Sequence, residues 1–305
     1  MSTTIINTEH VTWTNIVKPT QADMDQLRER YPQFHPLNLK DCLTESEFPK
    51  LDHHDDYVFL VTQFPRWDPS SLICQPAEVD IFITKGVLVT SHQGTLKPLN
   101  DLFDTIQADP VASEKLMEHG ASPVLYEILN VLTQYCYPIL HKVNQKIRHI
   151  EHDLFSADTS HILQEVALAR RDVISLRHIL VPQIKVVYEL EKGDWHFIHD
   201  DLNIYWGDIG DHLAQIGSML DEQREVIAGL SETIDTLASH RIDEVVRLLT
   251  LVTLISVPIT VIATVFGMNV ALPYGSHPIP FYAINATAVL ITVLVLWYLK
   301  RKHWL

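Results

Sequence analysis

The chain has 305 residues, 47% of them hydrophobic, with 38 acidic against 23 basic side chains and a formal net charge of -15. That length exceeds what one globular core needs, so at least two structural units are expected. The acidic balance argues against a nucleic-acid partner and in favour of a surface that attracts cations, although ordinary solubility has the same signature. The polar opening "MSTTIINTEH" carries no signal-peptide pattern.

Residues 1–121 read as a mixed α/β domain. "VTWTNIV" (11–17) alternates as a strand does, and Thr20 is placed to cap a helix containing Met24, Leu27 and Tyr31. "YVFLVTQF" (57–64) is a β-rich run that is expected to end before Pro65. "EVDIFIT" and "VLVTSH", separated by Lys85-Gly86, read as a hairpin. Residues 98–106 return to helical spacing. The scattered Cys42, Cys74 and Cys136 form no CxxC pair and read as reduced core thiols.

Residues 122–193 read as two amphipathic helices, about 122–155 and 160–192, joined by the short polar "SADTS" as an antiparallel hairpin that Gly193 ends. From 194 the apolar spacing of threes and fours continues through a stalk, 194–246, into a first membrane span, 247–266. An unbroken helix of about 70 residues would be on the order of 105 Å long, of which a bilayer takes only about 30 Å. Positions 248–266 and 281–299 carry no charge. Each is long enough, at roughly 28 Å, to cross a hydrocarbon core. A link, 267–280, joins the spans, and 300–305 is a basic tail. Arg241 and Arg247 precede the first span, Lys300, Arg301 and Lys302 follow the second, and the link has no Lys or Arg. Positive charge therefore predicts both termini in the cytoplasm, the link outside, and a cell (inner) membrane location.

The first span ends in Gly267-Met268-Asn269. This tripeptide, the preceding "SVPITVIATVF", the C-terminal pair of spans, the basic tail and the long feeding helix together resemble the CorA-type metal ion transporters. "HPLNLKDCL" (35–43), "PKLDHHDDYVFLV" (49–61) and "LVTSH" (88–92) are similar to that family's cytoplasmic domain, so the resemblance covers nearly the whole chain. It implies a layered α/β/α cytoplasmic domain with a helical hairpin, and a homopentameric funnel whose first spans line one pore for divalent cations, usually Mg²⁺. It implies no enzyme, and no resident cofactor beyond the divalent cation itself as substrate and regulatory ligand.

The residue chemistry fits that implication. Mg²⁺ gives up its water reluctantly, so a filter works best by accepting hydrogen bonds from the hydrated ion. The Asn269 carboxamide, with the Gly267 and Met268 carbonyls, offers neutral acceptors, and Gly267 offers backbone freedom at the helix end. Asn269 also fits a plain helix C-cap. Counting back by threes and fours gives a candidate lumen stripe of Thr264, Thr260, Val257 and Thr253, with Leu249 and Val246 as a hydrophobic gate and Asp243 at the inner mouth. Each threonine has the alternative of bonding its own helix, and the aliphatic pair the alternative of bundle packing. The resemblance places regulatory metal binding on the stretch that here holds Asp208, Asp211 and His212; solvated acids on an exposed helix are the alternative.

The link "VALPYGSHPIP" has no Asp or Glu, unlike many family members, and resembles that of the zinc-transporting, ZntB-like subgroup. His277 is the best Zn²⁺ contact in it. The remaining histidines, His53 and His54 included, show no HxxxH on an evident helix and read as solvated loop residues. Mg²⁺, with Co²⁺ or Ni²⁺ as surrogates, ranks first; Zn²⁺, with possible proton coupling, ranks second. A membrane-tethered coiled-coil scaffold or sensor is the alternative of another class, and it leaves Asn269 and the threonine stripe unexplained.

Overall fold

The computed structural model describes residues 3–44, 48–68, 73–154, 159–193, 195, 203–268 and 279–302. It divides into two units, Met1–Ser231 and Glu232–Leu305. The first begins with β1 (Thr3–Asn7), β2 (Thr12–Val17), α1 (Gln21–Arg30) and α2 (Pro36–Asp41), followed by β3 (Lys50–His53), β4 (Val58–Asp68), β5 (Ile73–Ile83) and β6 (Val87–His92). Then come α3 (Lys97–Ala108), α4 (Pro110–Met117), α5 (Ala121–Asp153) and α6 (Thr159–Lys192). Helix α7 (Asn203–Gly267) carries residues of both units, and α8 (Ile279–Arg301) completes the second.

The six strands form one sheet in the order β1-β2-β6-β5-β4-β3, parallel only between β2 and β6. Strand alternation sends one set of side chains to each face. On one face Ile16, Phe59, Val61, Phe82 and Val89 meet Met24 and Leu27 of α1 and Leu39 of α2. Phe34, just before α2, stacks on Phe82 with ring centroids 4.5 Å apart. On the other face Trp13 of β2 meets Phe103 of α3 edge-on at 4.9 Å, and Gln183 of α6 donates to the Gln63 carbonyl of β4. The sheet is thus covered on both sides, the layered α/β/α arrangement expected for the domain.

Local chemistry accounts for several boundaries. Thr20 caps α1 through a capping box: its backbone N–H donates to Asp23 Oδ2 at 2.9 Å, and its hydroxyl oxygen accepts from the Asp23 N–H at 3.4 Å. Thr20→Ala is expected to cost about 1 kcal/mol, read as a lower denaturant midpoint. Strand β4 runs past Pro65, further than its sequence suggests. Its ladder to β3 ends at Val61, so Pro65 sits where one side of β4 is a sheet edge and no donor is needed there. Gly120 at the start of α5 has φ 100°, a backbone that disfavours a side chain.

A polar network lies inside the sheet layer. Trp13 Nε1 donates to Thr90 Oγ1 at 3.1 Å, and Thr90 Oγ1 donates to Asn15 Oδ1 at 2.8 Å. His92 Nε2 lies 2.9 Å from the same Asn15 oxygen, and the Gly94 N–H donates to His92 Nδ1 at 3.0 Å. Nδ1 therefore accepts and Nε2 donates, so the imidazole is neutral with both nitrogens satisfied. Burial pushes its pKa down to about 4. Asp80 of β5 is also buried, and burial first, with Glu78 and Asp41 nearby, pushes its carboxyl well up.

Candidate metal ion path and regulatory cluster

In the second unit, α7 and α8 each contain a stretch long and apolar enough to cross a membrane. They pack on one another: Phe266 of α7 meets Phe281 of α8 at 5.2 Å. The groove between them is lined by Ile255, Pro258 and Ile262 from α7 and Asn285, Ala288 and Thr292 from α8. The α8-facing edge of α7 therefore centres on Pro258 and Ile262. At about 100° per residue, Val246, Leu249, Thr253, Val257, Thr260 and Thr264 fall within about 80° of arc, roughly on the opposite side of the helix.

All six of those side chains are exposed, Leu249 at 65% and Val246 at 49%. Val257 is the marginal member, since it also lines a neighbouring groove beside Ala283 and Thr287. Asp243 is exposed as well and lies about 60° off the line through Val246. Each threonine of the stripe bonds its own helix. Thr253 Oγ1 donates to the Leu249 carbonyl at 2.8 Å, Thr260 to Ser256 at 2.9 Å and Thr264 to Thr260 at 2.7 Å. Thr250 and Ser256 do the same, so the backbone bond by itself marks no lumen. Its consequence is chemical. With the hydroxyl proton committed to the backbone, each oxygen presents only acceptor lone pairs outward, which is what a cation's coordinated water, a donor, requires.

Helix α7 ends at Gly267, with Met268 exposed beyond it. Only Gly94 and Gly120 among the described glycines have positive φ, and a Cβ on Gly267 would meet nothing within 4 Å. Asn269 and His277 lie outside the described residues.

In the first unit, Asp208 and His212 are one helical turn apart on α7, with His212 Nε2 3.8 Å from Asp208 Oδ2. His212 Nδ1 lies 2.9 Å from Tyr137 Oη on α5, which in turn donates to Gln215 Oε1 at 3.1 Å. That leaves Nδ1–H as the donor to Tyr137, and turns Nε2 toward Asp208. Asp208 also reaches Tyr126 of α5, whose phenol burial pushes upward and the Asp208 charge pushes further. Asp211 is exposed one step round the helix and is not brought into this pair. Among the described residues, no three or more His, Cys, Asp or Glu side chains are assembled to hold a metal. The sequence reading missed Tyr137, Gln215 and Tyr126. Tyr126 and Tyr137 are eleven residues apart, three helical turns, a spacing that becomes informative only once α5 is known to face α7.

Several known proteins are similar to the chain over nearly its whole length. The Cobalt/magnesium transport protein CorA of Thermotoga maritima is 24% identical over 96% of this chain and 83% of its own length. The Zinc transport protein ZntB of Pectobacterium carotovorum is 21% identical over 99% of this chain and 90% of its own. The complete structure of the CorA magnesium transporter from Methanocaldococcus jannaschii superposes with a TM-score of 0.80 at 20% identity, covering 98% of this chain and 94% of that one. The model of the CorA-like Mg2+ transporter protein family matches residues 8–301, and the chain belongs to that family of membrane transporters for divalent metal ions, which are not enzymes.

Proposed function

We propose that five copies of this chain surround a central pore lined by α7, with Gly267, Met268 and Asn269 as the filter at its outer end and both termini in the cytoplasm. A hydrated dication meets the Asn269 amides first. It then passes the acceptor oxygens of Thr264, Thr260 and Thr253, with Val257 between them, then the Leu249 and Val246 collar, and leaves beside Asp243. The observation that carries this reading is the stripe itself: three hydroxyls with outward lone pairs, on the side of α7 that α8 leaves uncovered. A scaffold has no use for it. The membrane potential supplies the drive, since a dication gains roughly 4.6 kcal/mol across 100 mV.

Mg²⁺ is the first choice of ion, because neutral oxygens suit a metal that keeps its water. The second reading, Zn²⁺, is favoured by one specific feature, a link without acidic residues that contains His277. The two are separated by uptake into liposomes holding the purified chain, with Mg²⁺, Co²⁺ and Zn²⁺ compared with and without a pH gradient. Mg²⁺ flux indifferent to the gradient supports the first; flux of Zn²⁺ alone, accelerated by inward protons, replaces it with the second.

Asp208, Asp211 and His212 form the regulatory site in this reading. A dication there screens the acids and holds the assembly closed when internal metal is plentiful. Asp208→Asn with Asp211→Asn is expected to weaken inhibition by internal Mg²⁺ about tenfold or more, equivalent to roughly 1.4 kcal/mol of lost coupling. Uptake measured against Mg²⁺ preloaded into the compartment that the cytoplasmic domain faces checks it, and unchanged inhibition removes the site.

A further inference from the structure

We propose that the groove between α6 and the outer end of β5 is a binding site for a nucleoside polyphosphate. Strand β6 pairs with β5 only as far as Val79, so among the described residues 73–78 have β4 on one side and no strand on the other. Helix α6 is pinned beside that open end, where Ser175 Oγ donates to the Cys74 carbonyl at 2.6 Å. The groove left between them holds about 540 Å³, inside the range of small-molecule sites.

Its chemistry is divided along the helix. Ala167, Arg170, Arg171, Ile174 and His178 recur at threes and fours as one stripe of α6 lining the groove. From Arg171 to His178 the helix rises about 10.5 Å, a separation that a nucleotide bridges from its phosphates to its base. At one end the two guanidiniums offer paired, planar donors that suit phosphate oxygens. Arg171 also lies 3.8 Å from the buried Asp172, but Lys146 holds the other oxygen of that carboxylate at 3.1 Å, so the local balance stays positive. Among the described residues no Asp or Glu lines the groove, on a chain with 38 acids against 23 bases. In the middle Ile174, 51% exposed, and Pro76 across the groove give apolar walls. At the far end the His178 ring, with Phe48 edge-on at 5.9 Å, gives a base an aromatic partner. Free phosphate leaves the apolar wall uncovered, and an uncharged nucleoside leaves the arginines unused; a nucleotide satisfies both. The site is separate from the pore and from Asp208, Asp211 and His212, and it stands whether or not those readings hold.

The test is isothermal titration of the full-length chain in detergent, with chelator present so that no metal bridges protein and phosphate. ATP is the probe, and adenosine and inorganic phosphate are the comparison ligands. The expected result is one ATP per chain, with adenosine and phosphate each weaker by about tenfold or more. Arg170→Gln with Arg171→Gln is expected to weaken ATP by a similar factor. Ala167→Glu, at an exposed position, sets a negative charge beside the phosphates and is expected to weaken ATP with an unchanged melting curve. Lys185→Gln with Lys192→Gln removes two charges from the same helix outside the groove and is expected to change nothing. In wild type, ATP also slows amide exchange over 167–179. No ATP binding by wild type, or phosphate bound as tightly as ATP, overturns the proposal. So does an equal loss in the arginine and lysine pairs, the mark of unspecific attraction. ATP binding unchanged in Ala167→Glu overturns it even if the arginine pair fails to fold.

Discussion

Asn269→Ala is expected to reduce divalent cation flux through reconstituted protein on the order of 100-fold while leaving the assembly intact. In the proposed filter each carboxamide accepts a hydrogen bond from the ion's water, and one such bond contributes about 1 kcal/mol net. With five of them proposed to act on the same ion, losing about 3 kcal/mol of that stabilisation would slow passage by the stated factor. Thr260→Val, which removes one acceptor per chain further in, is expected to have a smaller effect in the same direction, and Thr260→Ser almost none. Flux and ion selectivity unchanged in Asn269→Ala would remove the amide from the path.

Acidification is expected to destabilise the first unit through His92 by roughly 3 kcal/mol between neutral pH and pH 4. The buried ring has a pKa of about 4, against about 6.5 in an unfolded chain. Between those values the unfolded chain binds the proton and the folded one does not. The contribution is complete above about pH 6.5, shrinks as pH falls, and is gone at about pH 4. The cause is geometric: protonating Nδ1 sets an N–H against the N–H of Gly94 and leaves a buried cation. Denaturant unfolding followed from neutral pH to pH 4 measures it. In His92→Gln the plateau stability is lower and this part of the pH slope is flatter. An identical slope in both proteins would assign the acid sensitivity to other groups.

Much of this architecture was legible in the residues, for identifiable reasons. The two charge-free stretches and the threes-and-fours spacing of α5, α6 and α7 are long signals, and long periodic signals survive local exceptions. The Lys85-Gly86 turn separates β5 from β6 as expected. Strand β1 was missed because it is short and at the sheet edge, where polar Thr3, Thr4 and Asn7 are tolerated. The six-residue α2 is held by the packing of Leu39 rather than by periodicity. The buried Asp80, Asn15 and His92 contradict simple hydrophobic patterning, because each depends on neighbours brought from distant strands.

The candidate site divides in the same way. The threonine stripe follows from helical spacing alone. Which side of α7 it occupies relative to α8 depends on Phe266 and Phe281 finding one another, which spacing cannot express. Likewise Asp208, Asp211 and His212 read as one group, yet Tyr137 and Tyr126 of α5 select only Asp208 and His212.

A cryo-electron microscopy map of the chain assembled in lipid would show how α7 is arranged. Five α7 helices around one axis are expected, with Thr253, Thr260, Thr264 and Asn269 turned toward it and α8 on the lipid side. An assembly without such an axis, or one that turns the threonine stripe and Asn269 toward lipid or neighbouring protein, would contradict it.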